Sequence, residues 1–205
     1  QLLVYISLRI LLFSEKYIGP HHYNGAGASA RTLYEYKDES TSIDLLHNDV
    51  VSLDTRDSFW SSHHHVVKRK SVIINLVYLF FRSVNIIRKN NYSLVHIISG
   101  YWPSMVILLA AKLSRKKVVV KITSELSEAK RPSGVSIRIR TRQLLLRSAD
   151  CVIAISSEIA NQLGEISVSE GKIFRLPNGV DTSRFFGQAR RLDNAHPLRI
   201  LFCGA

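Results

Sequence analysis

The sequence alternates short apolar segments with longer segments whose apolar residues recur at helical spacing. The clearest apolar segments, each four to six residues long, are 9–14, 94–99, 118–123, 151–156 and 172–176. A strand that is apolar on both sides is normally buried on both faces, which is typical of a parallel sheet covered by helices. The alternation therefore predicts an α/β fold with a doubly wound parallel sheet.

The segments between these strands predict helices at 28–37, 71–89, 103–114, 135–148 and 157–163. Pro103 suits a first helical turn, where a missing N–H costs nothing. Residues 71–89 are apolar enough for a buried core helix, with an interfacial helix as the alternative. Residues 41–70 are harder to assign. They offer two candidate strands, 43–46 and 50–53, followed by a polar, His-rich loop over 54–70.

In an open parallel sheet, ligands bind beyond the carboxyl ends of the strands. The segments that follow the predicted strands are therefore where we expect function. They are residues 14–27, 99–101, 123–128, 156–158 and 177–181.

Net charge indicates the kind of binding partner, and the cysteines indicate the cellular compartment. The 205-residue chain carries a formal net charge of +12, and residues 112–147 hold eleven Lys and Arg against two Glu. Such a surface favours polyanions, with a solvated basic face as the alternative. Cys151 and Cys203 lie in apolar segments without metal-binding spacing, which indicates free thiols in a reducing compartment.

One passage of about forty residues carries a recognisable order of motifs. It contains an Ala-Asp pair, an apolar strand, a serine, a helix, a Lys-Ile pair, a second strand, a Pro-Asn-Gly-Val-Asp turn and a later phenylalanine. These elements are Ala149-Asp150, residues 151–155, Ser156, residues 157–163, Lys172-Ile173, residues 174–176, residues 177–181 and Phe185. The passage resembles the domain junction of family 4 glycosyltransferases of the GT-B fold.

The resemblance implies a Rossmann-like N-terminal, acceptor-side domain over residues 1–181 and a linker over 182–197. Residues 198–205 would be the first strand of a donor-binding domain. It further implies a retaining, hexosyltransferase-like enzyme of polysaccharide biosynthesis. Such an enzyme transfers sugar from a nucleotide-diphosphate donor to a glycan or lipid-linked acceptor without a metal or other cofactor. The catalytic groups would lie in the C-terminal domain, so this chain alone is expected to be inactive. The implied location is cytoplasmic, peripheral on the inner face of the membrane.

The resemblance also nominates binding residues. A Gly-rich loop before the first helix would face the donor diphosphate and the acceptor, and here that loop holds Gly25, Ala26 and Gly27. The acceptor pocket would be lined by Thr123, Ser124 and Glu125, where many relatives have a histidine. Contacts at the cleft would come from Ser156, Asn178 and Gly179. His96 lies inside a predicted strand and is interpreted as a core residue. The histidine runs at 21–22 and 63–65 are interpreted as loop residues and not as metal ligands.

Three further hypotheses stay open. The basic helix with Arg138, Arg140 and Arg142 could dock peripherally on an anionic membrane. The chain could instead be a non-catalytic basic module that binds a membrane or nucleic acid, although no nucleic-acid motif appears and nucleic acid is not expected. The third is another GT-B enzyme, such as a sugar-nucleotide epimerase or a phosphorylase, against which the order of motifs argues.

Overall fold

The computed structural model describes residues 8–16, 18, 25–35, 37–49, 59–126 and 137–179. Within these ranges, strands and helices alternate along the chain. The strands are β1 (Leu8–Ser14), β2 (Thr41–His47), β3 (Ser62–His65), β4 (Leu94–Ile98), β5 (Lys117–Ile122), β6 (Cys151–Ala154) and β7 (Ile173–Arg175). The helices are α1 (Gly25–Glu35), α2 (Val72–Lys89), α3 (Trp102–Leu113), α4 (Ile137–Ser148) and α5 (Ser157–Glu165).

The described strands form one sheet in the order β3-β2-β1-β4-β5-β6-β7, and every neighbouring pair is parallel. From β1, the chain first builds outward through β2 and β3. It then crosses back to β4 and builds in the other direction. The predicted doubly wound α/β fold is confirmed. The order reverses between β1 and β4, and such a switch point opens a crevice at the carboxyl ends of the strands.

Alternate residues of the central strands enter two separate cores. Leu11 and Phe13 of β1 join a large cluster with residues from α2, α3, α4 and α5. Ile10 and Leu12 of the same strand join a smaller cluster beneath α1. The period of two along a strand produces this division, and burial on both faces explains why the strands are so uniformly apolar.

The helix ends follow the local sequence. Ser156 precedes α5, and its hydroxyl accepts a hydrogen bond from the amide of Ile159 at 3.2 Å. That bond satisfies one of the free N–H groups at the helix start. Pro103 lies in the first turn of α3, as predicted.

An ion pair between the buried Asp44 and the partly exposed Arg9 ties β2 to its surroundings. The Asp44 carboxylate accepts from Arg9 Nη2 at 2.8 Å and from the Tyr92 hydroxyl at 2.7 Å, and His64 lies nearby. Burial opposes ionisation of Asp44, but the hydrogen bonds outweigh it and hold the pKa of this carboxyl well below its usual range. The cluster joins β1, β2 and the turn before β4, so its role is structural.

Two boundaries differ from the sequence-based prediction. Helix α1 begins at Gly25 and not at residue 28, so Gly25, Ala26 and Gly27 form its first turn instead of a preceding loop. The stretch predicted as a His-rich loop contains β3, and His63, His64 and His65 therefore lie in a strand. Both errors have the same origin, because glycine and histidine interrupt the apolar pattern from which helices and strands are predicted. Pairing with β2 nevertheless stabilises β3.

Helix α2 is also less buried than predicted. Its inner side carries Leu79 and Ile87 into the core, but Val72, Ile73 and Ile74 in its first turn are 73%, 75% and 61% exposed. Cys151 is a free thiol in β6, as expected. The candidate strand at 50–53, the linker at 182–197, the strand at 198–205 and Cys203 all lie outside the described residues.

Candidate functional site

The crevice at the sheet switch point holds a carboxyl group that the motifs do not identify. Glu15 follows β1, and its Oε1 accepts from the Ser99 hydroxyl at 3.2 Å and from the Ser104 hydroxyl at 3.5 Å. Burial raises the pKa of Glu15, although the two hydroxyls and the charges of Lys68 and Lys16 partly oppose the shift. The site thus begins with a shielded carboxyl group between the ends of β1 and β4.

The backbone beside Glu15 is strained. Ser99 has a φ of 100°, a conformation that non-glycine residues rarely adopt, and its amide donates to the carbonyl of Lys121 at 2.9 Å. At the next residue, a Cβ on Gly100 would lie 3.0 Å from Ile122 Cδ1 and 3.2 Å from Arg142 Nη2. A larger residue at position 100 would crowd the Arg142 guanidinium, which α4 brings against the end of β4.

This packing corrects one part of the membrane hypothesis. Arg138 and Arg140 are exposed on α4, but Arg142 is only 8% exposed because its side chain packs over Gly100. Arg142 belongs to the interior edge of the site and not to a basic outer face. In addition, Ile137 and Leu144 are 77% and 61% exposed, so the apolar residues of α4 do not form a continuous buried stripe.

On the α1 face, a chain of hydrogen bonds joins three distant parts of the sequence. Lys121 of β5 is buried, and its Nζ donates to the Ser29 hydroxyl of α1 at 2.5 Å. The Ser29 hydroxyl in turn donates to Asn178 Oδ1 at 2.8 Å. The Pro-Asn-Gly turn after β7 is therefore held against the helix that begins with Gly25.

His96 lies beside this chain and is buried, as the sequence predicts. Its Nδ1 forms a hydrogen bond with the Tyr34 hydroxyl at 2.5 Å. Burial, and then the charge of Lys121, lower the pKa of His96 to about 4. The imidazole is therefore neutral at physiological pH and packs as a core residue.

The other predicted binding residues lie along the same edge of the sheet. Thr123 is half-buried, while Ser124 and Glu125 are exposed. The loop that carries them is fixed where the amide of Leu126 donates to Gln162 Oε1 of α5 at 2.8 Å.

Two nominated residues have structural explanations of their own. The Ser156 hydroxyl serves as the cap of α5. Gly179 is exposed, and an added Cβ would meet no described residue within 4 Å, so packing against the described residues does not require glycine there. Of the nominated residues, the structure joins Asn178 to α1 through Ser29, whereas Thr123, Ser124 and Glu125 stand on a separate loop of that edge.

The Ala-Asp pair of the motif lies at the opposite edge of the sheet. Asp150 accepts from the amide of Val118 at 2.9 Å, from Lys112 Nζ at 3.0 Å and from Lys117 Nζ at 3.3 Å. Burial opposes its ionisation, but these donors lower the pKa of the Asp150 carboxyl overall. This motif residue therefore fastens β5 and α3 to the start of β6 and takes no part in the site.

Sequence reasoning missed Glu15, Ser29 and Lys121. Lys121 carried a usable signal, since a lysine inside the apolar segment 118–123 predicts a buried or partnered charge. Glu15 directly follows a predicted strand, which is also a signal. Ser29 offered none, because its importance depends on contacts with residues 92 and 149 positions away.

The histidines of β3 form a local cluster. The rings of His47 and His65 stack at 4.7 Å between centroids, and His65 Nε2 bonds the carbonyl of Asp49 at 2.6 Å. In the part of the chain that the structure describes, no three His, Cys, Asp or Glu residues are arranged to hold a metal ion. Of the helices described, none has the length and apolar character needed to cross a bilayer.

Comparison with known proteins identifies the family and the fold of this chain. A sequence model described as Glycosyltransferase Family 4 matches residues 23–184. A search of curated proteins found no match. The chain belongs to glycosyltransferase family 4, and the resemblance noted in its sequence is confirmed.

Solved structures agree on the fold. A UDP-N-acetylglucosamine 2-epimerase superposes with a TM-score of 0.64 at 13% identity, covering 84% of this chain and 49% of that one. The enzyme of the same name from Rickettsia bellii gives 0.60 at 12% identity, covering 84% and 45%. Anabaena Alr3699/HepE in complex with UDP-glucose gives 0.61 at 15% identity, covering 86% and 45%. The chain thus spans about half the length of these GT-B neighbours.

The buried His96 predicts a specific dependence of stability on pH. Its pKa is about 4 in the folded chain against 6.5 for an ordinary histidine. As pH falls from 6.5 toward 4, the unfolded state takes up a proton that the folded state refuses, so stability is lost. Between pH 7 and 5 this group should cost about 2 kcal/mol of unfolding free energy.

Urea unfolding of wild type and His96→Gln at pH 7 and pH 5 measures this effect. The variant should lose less stability than the wild type over that interval. Part of the loss should remain, because burial also lowers the pKa of His47 to about 4. An identical loss in both proteins would show that His96 is not held neutral by burial.

Proposed function

We propose that the chain forms the acceptor-side half of a retaining glycosyltransferase. In this proposal, a sugar passes from a nucleotide-diphosphate donor to a glycan or lipid-linked acceptor. The observation that carries it is the family match over residues 23–184, which spans α1, the loop after β5 and the turn after β7. These are the segments whose polar groups gather at one edge of the sheet.

The proposed roles of the two domains follow from their order along the chain. Residues 1–181 form the acceptor-side domain, residues 182–197 the linker, and residues 198–205 begin the donor-binding domain. Charge develops on the leaving diphosphate in the transition state, and preorganised donors stabilise it. We assign most of these donors, and the catalytic groups, to the donor-binding domain, so the 205-residue chain alone should be inactive.

The first turn of α1 is the part of this chain best suited to the donor. Helix N–H groups at the start of a helix lack intrahelical partners and favour anions. Gly25, Ala26 and Gly27 supply that turn, and glycine allows close approach of a phosphate. Solved neighbours were crystallised with UDP or UDP-glucose, which supports a nucleotide-diphosphate ligand.

The acceptor is proposed to bind over the loop after β5. Thr123, Ser124 and Glu125 offer hydroxyl and carboxylate groups for sugar hydroxyls, with Glu15 in the crevice behind them. Asn178 and Gly179 would line the cleft on its other side. No cofactor is required by this scheme, since the nucleotide sugar is itself a substrate.

Sugar transfer by the full-length protein tests the proposal. With UDP-glucose or UDP-N-acetylglucosamine and a lipid-linked or oligosaccharide acceptor, we expect transfer with the anomeric configuration of the donor retained, as read by NMR. The isolated 205-residue chain should give no product. Inversion at the anomeric carbon, or transfer by the isolated chain, would contradict the proposal. Conversion of UDP-N-acetylglucosamine to its 2-epimer without acceptor would instead establish an epimerase.

A second role, peripheral contact with an anionic membrane, is supported by two exposed patches, one on α2 and one on α4. The N-terminal halves of α2 and α4 expose apolar side chains next to cations, a combination typical of interfacial helices. On α4 these are Ile137 with Arg138 and Arg140. On α2, the exposed segment from Val72 to Ile74 follows a run of exposed basic residues, Lys68, Arg69 and Lys70. The proposed location is therefore the cytoplasmic face of a membrane.

Vesicle sedimentation tests this role. Since each basic residue near an anionic surface contributes about 1 kcal/mol, the double variant Arg138→Glu, Arg140→Glu should bind anionic vesicles at least tenfold more weakly. The matched control is Arg88→Glu, Lys89→Glu, which reverses two exposed charges at the far end of α2. Equal sedimentation with neutral and anionic vesicles would refute membrane contact, and salt-dependent binding to random oligonucleotides would favour a nucleic-acid partner.

A further inference from the structure

Lys121 is a buried cation with a neutral partner. It is 3% exposed in β5, and its Nζ bonds the hydroxyl of Ser29. Within the described ranges, no carboxylate forms an ion pair with it. Burial lowers the pKa of Lys121, which reflects the cost of keeping an ammonium group out of water. Among the described residues, no acidic partner offsets this cost.

Two other described lysines, one of them on the same strand, behave differently. Lys112 and Lys117, at the opposite edge of the sheet, both pair with Asp150, at 3.0 and 3.3 Å. These two side chains are 34% and 78% exposed and need a counter-charge far less than Lys121 does. Of these three lysines, only the buried one is without an acidic neighbour among the described residues.

Lys121 also lies close to the start of α1. Ser29 is the fifth residue of α1, so the ammonium group contacts the helix about 6 Å from its first residue. The start of a helix carries partial positive charge. An anion bound over the first turn of α1 would therefore lie about one helical turn from the ammonium group and would be favoured by both.

Two hydrogen bonds, through Ser29 and Asn178, connect the Lys121 ammonium group to the surface. A lysine ammonium group can only donate, so Ser29 accepts from Lys121 and directs its own proton to Asn178 Oδ1. The Asn178 amide nitrogen, a donor, is then turned away from Ser29. The relay presents a donor at the exposed turn after β7, next to the first turn of α1.

We propose that Lys121, through Ser29 and Asn178, provides the counter-charge for an anionic group of a substrate, a phosphate or a carboxylate. That group binds between the first turn of α1 and the turn at residues 177–179. The inference rests on the proposed function and deepens it, because it names a charge-bearing residue on the acceptor-side domain. Lys121 acts as a positioning residue, and its charge operates across a short distance in a poorly solvated setting.

The test uses the full-length protein and calorimetric binding of paired probes. UDP against uridine isolates the phosphate contribution, and glucuronate against glucose isolates a carboxylate. Lys121→Met should weaken binding of UDP or of glucuronate at least tenfold while binding of the neutral partner probe stays unchanged. Loss of UDP binding assigns the phosphate, and loss of glucuronate binding assigns the carboxylate. Lys117→Met, the same change at the exposed start of β5, should alter neither.

Thermal unfolding distinguishes this role from a structural one. Because a costly buried charge is replaced by an apolar side chain of similar length, Lys121→Met should unfold at the same or a higher temperature than wild type. A lower unfolding temperature with equal weakening of charged and neutral probes would make Lys121 a structural strut and overturn the inference. Unchanged binding of both anions would overturn it too.

If wild type transfers sugar while Lys121→Met binds UDP and glucuronate normally, the inference fails and the proposed function stands. Wild type that neither binds UDP nor transfers sugar would refute the function itself.

Discussion

The parallel sheet is the constraint on which the rest of the structure depends. All its described strands run the same way, so all their carboxyl ends meet at one edge. Strands β1, β4 and β5 are buried on both faces, which leaves polar side chains little place except at strand ends or in paired interior positions. Glu15, Ser99 and the loop after β5 consequently gather at the edge where the chain also reverses its building direction.

Three ionisable side chains inside the sheet, those of Asp44, His96 and Lys121, differ in their charge state and in their partners. Asp44 is ionised and held by Arg9 and Tyr92. His96 is kept neutral by burial and bonded to Tyr34. Lys121 is a cation that bonds only the Ser29 hydroxyl and pairs with no group of opposite charge among the described residues. The first two arrangements stabilise the fold, whereas the third is unfavourable without a ligand, which is typical of a functional position.

The sequence predicted the architecture because parallel strands that are buried on both faces consist of consecutive apolar residues. The motif at residues 149–185 predicted the family. It missed β3, whose Ser-His-His-His segment has no apolar pattern and forms by pairing with β2. It also misjudged the first turn of α2, whose apolar residues are exposed, and Arg142 of α4, which is buried, because local sequence does not reveal which neighbour covers a side chain. The contact of Lys121 with Ser29 lay beyond local patterns, since only the fold brings these residues together.

The central claim is that a nucleotide sugar binds at the carboxyl edge of this sheet. Hydrogen–deuterium exchange of the full-length protein with and without UDP-glucose measures this most directly. Slower exchange is predicted in the first turn of α1, at Thr123, Ser124 and Glu125, and in the turn at residues 177–179. No change is predicted at the opposite edge, at residues 90–93 and 115–117. Protection confined to that opposite edge, or absent from all three segments of the carboxyl edge, would contradict the account.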